Sequence, residues 1–100
     1  MLHMTMDMAT PKQDTPAPDV LALMALAHVA GDEALGPRFL ALTGMDATDL
    51  RARAAEQGVL AAVLEFLAAH EADMVATARA IGSTPERLAA AARTLGSPWE

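Results

Sequence analysis

Few residues in this chain have nucleophilic, acid–base or metal-binding chemistry, and their spacing excludes more than it suggests. Serine occurs twice, at Ser83 and Ser97, in each case where a turn or helix cap favours a short hydroxyl side chain. Neither is flanked by the glycines of the strand-to-helix elbow that presents a hydrolase serine. The absence of cysteine removes disulfides, thiolate zinc sites, iron–sulfur clusters and thiol nucleophiles together. His70 and Glu71 begin the zinc-protease helix pattern, but the position of its second histidine holds Met74. His70 is expected instead at a helix terminus, against the last carbonyls of the preceding helix. His28 sits inside an apolar helical segment, where a proton shuttle or metal ligand competes with a simpler reading, a ring packed at the helix edge beside Met24. His3 can wrap Cu(II) or Ni(II) with the amino terminus and backbone nitrogens, a property of any chain beginning this way, so metal binding there is adventitious. No cofactor is expected.

The acids Asp46, Asp49, Glu56, Glu65, Glu71 and Asp73 do not follow the calcium-loop pattern and read as solvated helix faces. With Phe39, Phe66 and Trp99 as the only aromatics, no sugar-binding platform accompanies them. A non-enzymatic protein is the expectation. The net charge of −6 repels phosphate backbones and anionic membranes at long range. One DNA-reading pattern still needs weighing: Ala78, Gly82 and Leu88 stand at helix-turn-helix spacing. Its recognition face would carry Pro85, Glu86, Ala89, Ala90 and Arg93, with no Asn, Gln or Lys to read a base edge. Arg51 and Arg53 on an earlier hairpin have Asp46 and Asp49 beside them.

The elements that must position these residues are all helical. At 100 residues the chain is long enough for one small domain, and alanine supplies nearly a quarter of it, so the core must come mainly from Leu, Val and Met. Residues 1–15, with Met1, Met4, Met6 and Met8 as alternative translation starts, lack periodicity and read as a disordered leader. They also lack the basic and apolar regions of a secretory signal, and no apolar run approaches the ~20 residues of a membrane span, so the cytoplasm is the default compartment. A single helical domain is expected over 16–96, followed by a tail, 97–100.

Thr15 to Asp19 form a start signal, and a first, central helix is predicted over 20–30, apolar on almost every side and closed by a left-handed Gly31. A second helix over 38–43 points Phe39, Leu40 and Leu42 inward and stops at Gly44. The third, capped by Asp46, runs over 47–56 around Leu50 and is broken by Gln57 and Gly58. From Val59 to Ile81 helical spacing persists, with a break favoured near His70 because the apolar stripe changes side there. Gly82 ends this segment, Ser83 or Thr84 caps the last helix, and Leu88, Ala92 and Leu95 face inward before Gly96 and Pro98. The segments after Gly44 and Gly82 are alike, each a glycine stop, a capped turn and a leucine-anchored helix; either duplication or the common grammar of helical hairpins produces that likeness.

The stretch Arg38-Phe39-Leu40-Ala41-Leu42-Thr43-Gly44-Met45-Asp46, then Asp49, Leu50 and Arg51, followed by Gly58 to Leu67, resembles a family of small all-helical bacterial proteins, chiefly alphaproteobacterial. That family is known only as a domain of unknown function. The resemblance spans roughly 19–95 and implies a compact helical domain with no assigned activity, ligand or site residue. This chain departs from it at Ala47, where members tend to have proline, and at His28, where they often have an aromatic. The expected architecture is therefore an all-α bundle of five to six short helices with the first helix central. The expected function is a protein-interaction module for an unknown protein partner, its apolar patch sought around Val59, Val75 or Trp99. The alternative is nucleic-acid binding through Arg51, Arg53 and Arg93. The oligomeric state is open.

Overall fold

A computed structural model describes residues 16–96 as six helices in sequence: α1 (Pro18–Gly31), α2 (Leu35–Thr43), α3 (Ala47–Arg53), α4 (Gln57–Ala68), α5 (Glu71–Ala80) and α6 (Pro85–Leu95). Among these residues there is no strand. The expected leader and tail lie outside the described residues, and with them His3, Thr15 and Trp99.

The order of helices and the central place of α1 agree with the sequence reading. α1, α4 and α6 pack against one another, α5 lies against all three, α2 packs on α1, and α3 sits at the edge. The core joins Leu21, Leu26 and Val29 of α1 to Val63, Leu64 and Leu67 of α4 and Leu88 of α6. Ala22 and Ala25 are fully buried on α1, so neighbouring helices approach it where side chains are shortest. Phe39 reaches in from α2 and meets Phe66 edge to face, with ring centroids 5.4 Å apart.

Two glycine stops end their helices as expected, and both Gly44 (φ 78°) and Gly82 (φ 73°) do so in the left-handed conformation. Gly31 does not. It remains inside α1, and Asp32 closes the helix in an extended conformation, its carboxylate Oδ1 accepting from the N–H groups of Ala34 and Leu35 at 2.8 and 2.9 Å. That side chain starts the next helix while ending the last, so no left-handed residue is needed, and α2 begins at Leu35, before the predicted start. α2 leaves at 108° to α1. A Cβ on Gly36 would lie 3.1 and 3.2 Å from the carbonyl oxygens of Val29 and Ala30, so glycine lets the two backbones cross closely.

Asp46 caps α3 with a reciprocal capping box: its carboxylate accepts from the Asp49 N–H at 2.7 Å and Asp49 accepts from the Asp46 N–H. Gln57 and Gly58, expected as breakers, open α4 instead. The actual interruption is one turn earlier, where the Glu56 N–H bonds back to the Arg53 carbonyl and Glu56 itself becomes an N-cap. The break at His70 is present, with His70 as N-cap of α5. Thr84 caps α6 by accepting from the Arg87 N–H at 3.2 Å. The hairpins after Gly44 and Gly82 thus share a capping geometry, although α3 is peripheral and α6 central. Leu42, expected inward, is 60% exposed, because it stands in the last turn of α2, beyond the buried Leu35 and Phe39, where it borders an open hollow with Phe66 and His70. No single described helix is long and apolar enough to cross a membrane.

Thr77 is the one polar residue in the buried interior of the described chain, and its hydroxyl has no hydrogen-bond partner there. An orphaned hydroxyl loses its hydration on folding without compensation. Thr77→Val should therefore raise the unfolding free energy by about 1 kcal/mol or more, whereas Leu88→Ala should lower it by about 2–5 kcal/mol. Urea denaturation followed by circular dichroism measures both.

Candidate functional site

α1 is apolar on every side, and the bundle covers only part of it. Leu21, Ala22, Ala25, Leu26 and Val29 are buried in the bundle, while Val20, Leu23 and Met24 remain 47%, 43% and 36% exposed. With Ala27 they fall at i, i+3, i+4 and i+7, one continuous stripe along the outer face of the helix.

The stripe runs into a groove of about 540 Å³. Leu23, Ala27 and Ala30 of α1 form one side, Gly36, Pro37 and Leu40 of α2 another, and Ala47, Leu50 and Ala54 of α3 and its C-cap a third. Its origin is local. Ala27, Ala30 and Gly31 put little volume on the last two turns of α1, and the crosswise α2 closes one end. α3 is too short to fill the space, being seven residues with Leu50 as its single buried side chain. The lining is apolar, with Asp32 and Glu33 on the rim at the α1–α2 turn and Arg51 on the α3 side. The Asp32 carboxyl is held below its ordinary value of 3.8 by the backbone N–H groups of Leu35 and Ala34, with His28 adding a smaller attraction.

A second, more open hollow of about 670 Å³ lies on the other flank of α2, between Leu42, Ala62, Phe66 and His70. Two of its polar side chains are already engaged. Arg38 bonds Asp73 at 3.2 Å and stands 5.4 Å over the Phe66 ring, and the Thr43 hydroxyl donates to the Phe39 carbonyl at 3.0 Å. His70 flanks the same ring, 6.3 Å between centroids. Among the described residues no three His, Asp or Glu side chains are grouped to hold a metal ion.

The residues picked from the sequence are scattered. Val59 is 3% exposed and belongs to the core, because α4 starts at Gln57 and turns its first leucine-like side chain inward; it cannot form part of a surface patch. Val75 is half-buried on α5, and Trp99 lies outside the described residues. Arg51 lines the groove, Arg53 pairs with Glu56 at 3.0 Å, and Arg93 is exposed in the last turn of α6. His28 is half-buried in the last turn of α1, one helical turn before Asp32. Sequence reasoning missed Val20, Leu23 and Met24. The signal that marks them is the lack of any polar side on α1, which that reading assigned wholly to internal packing.

The family model described as "Protein of unknown function (DUF3572)" matches residues 15–98. No curated protein and no solved structure matches the chain.

Because the folded-state pKa of Asp32 is depressed, its ionised carboxylate stabilises the α1–α2 turn above about pH 4, and this contribution disappears as pH falls through the lowered value. Asp32→Ala should lower Tm at neutral pH, and the difference from the parent should shrink to nothing on acidification. Thermal melts at a series of pH values for both proteins measure it.

Proposed function

The chain belongs to the family described as protein of unknown function (DUF3572), which brings no activity with it, and from the geometry we propose that it is a non-enzymatic protein-interaction module. The observation that carries this reading is the exposed stripe of α1 leading into the α1–α2–α3 groove. Covering Leu23 and Met24 with a partner supplies about 1 kcal/mol each for the area still open to water. The apolar groove between three helices offers shape for specificity. We place the protein in the bacterial cytoplasm, chiefly of alphaproteobacteria, in line with the sequence resemblance. The arginines of the nucleic-acid reading give it little support: Arg53 is engaged by Glu56, Arg51 stands at an apolar groove rather than on a basic surface, and Arg93 is carried on a different helix, α6.

Leu23→Asp should abolish capture of a specific partner from cell lysate while leaving helicity and Tm close to those of the parent, since surface changes usually cost within ~0.5 kcal/mol. Leu42→Asp, in the second hollow, should leave capture intact. The competing reading predicts salt-sensitive binding to duplex DNA that is measurable at about 50 mM salt and reduced by Arg51→Ala and Arg93→Ala. Detecting such binding would replace the present proposal.

A further inference from the structure

Resting on that reading, we propose that the groove receives an amphipathic α-helix from a partner protein, with lysine or arginine along the edge that meets Asp32 and Glu33. The stripe itself has helical register, so a second helix laid along it sets its own apolar ridge between Val20, Leu23, Met24 and Ala27. The large side chains stand in the N-terminal half of the stripe, where they grip. Ala27 and Ala30 stand in the C-terminal half, where a partner's bulkier residue can enter the groove between α1 and Leu50.

Charge decides between occupants. On one rim, Glu33 is exposed and forms no ion pair among the described residues. Asp32 is charged, and only its Oδ1 is taken up by backbone N–H groups, which leaves Oδ2 open to a cation. Arg51 on the opposite side asks for a neutral or acidic edge there. The net charge of −6 steers a basic segment inward from a distance. A second copy of this chain fits poorly. Paired antiparallel, Asp19 at the start of one stripe would meet Asp32 and Glu33 at the end of the other; paired parallel, like would meet like. An acyl chain with a carboxylate head would find one cation at Arg51 facing two acids.

The test uses two synthetic helical peptides of about 14 residues with the same Leu/Ala face, one carrying Lys and the other Glu along one edge. Binding to the full chain is read by fluorescence anisotropy and mapped by amide chemical shifts. The Lys peptide should bind at least tenfold more tightly, with shifts at Leu23, Ala27, Ala30 and Leu50. Glu33→Lys should erase or reverse that preference, whereas Glu86→Lys, the same charge change on α6, should leave the ratio nearly unaltered. Equal affinities for the two peptides, or equal effects of the two substitutions, would overturn the charge assignment, even where Leu23→Asp still abolishes partner capture and the groove reading survives. Shifts confined to the Leu42–His70 hollow would overturn the location. A dimer in sedimentation equilibrium that Leu23→Asp dissolves would identify a second copy as the occupant, and groove affinity rising only on deletion of residues 1–15 would identify the chain's own N-terminal segment.

Discussion

Ala22 and Ala25 are fully buried on α1, where α4 and α6 close in, and the rest of the bundle follows from how near those helices can come. A chain with nearly a quarter alanine has little side-chain volume to fill space, so its helices must approach closely wherever large residues are absent. Leu21, Leu26 and Val29 then interleave with Val63, Leu64 and Leu67 from α4 and Leu88 from α6. α5, with only Met74, Thr77 and Ala78 buried, packs across the three rather than adding a core of its own.

That same shortness of side chains creates the groove. Where α1 is small and α4 is beside it, backbone approach removes the empty space. Where α1 is small and the neighbour is α3, it does not, because α3 is held away by its connections. Gly36 fixes α2 crosswise over the end of α1, Gly44 turns the chain in the left-handed conformation, and the Asp46–Asp49 capping box fixes where α3 starts. The Glu56 N–H bond to Arg53 and the Arg53–Glu56 pair then fix where it ends. Leu50 is its one buried side chain, with the partly buried Met45 and Ala54 packed against the core at its two ends. A wall held by one leucine and two turns can adjust to an occupant at modest cost, because few packed contacts have to be remade.

Most of the helices were legible in the sequence, because their signals are local. The caps at Asp46 and Thr84, the left-handed glycines at 44 and 82 and the interruption at His70 all depend on residues within one turn of the feature. The failures share a different cause. Gly31 looked like a left-handed stop until the Asp32 carboxylate took over the N–H groups of Ala34 and Leu35, and Gln57-Gly58 looked like a break although Glu56 had already made one. In both places two local signals stand side by side, and geometry beyond the local segment decides which one acts. Val59 and Leu42 went wrong more simply: an apolar side chain near a helix end says nothing by itself about which way that end faces.

The candidate site was illegible for a deeper reason. α1 has no polar side, and a sequence without one is satisfied equally by burial within the chain or by burial completed by another molecule. Only the placement of five other helices distinguishes the two, and here they cover Leu21, Leu26 and Val29 but leave Val20, Leu23 and Met24 at the surface. Single apolar residues at a surface need no explanation, but three at helical spacing that continue into an apolar groove form a contiguous patch. Val20, Leu23 and Met24 stand outside the buried core, so filling that core gives no reason for their apolar character. A partner that covers them does, and the acids beside Gly31 then select which partner is admitted.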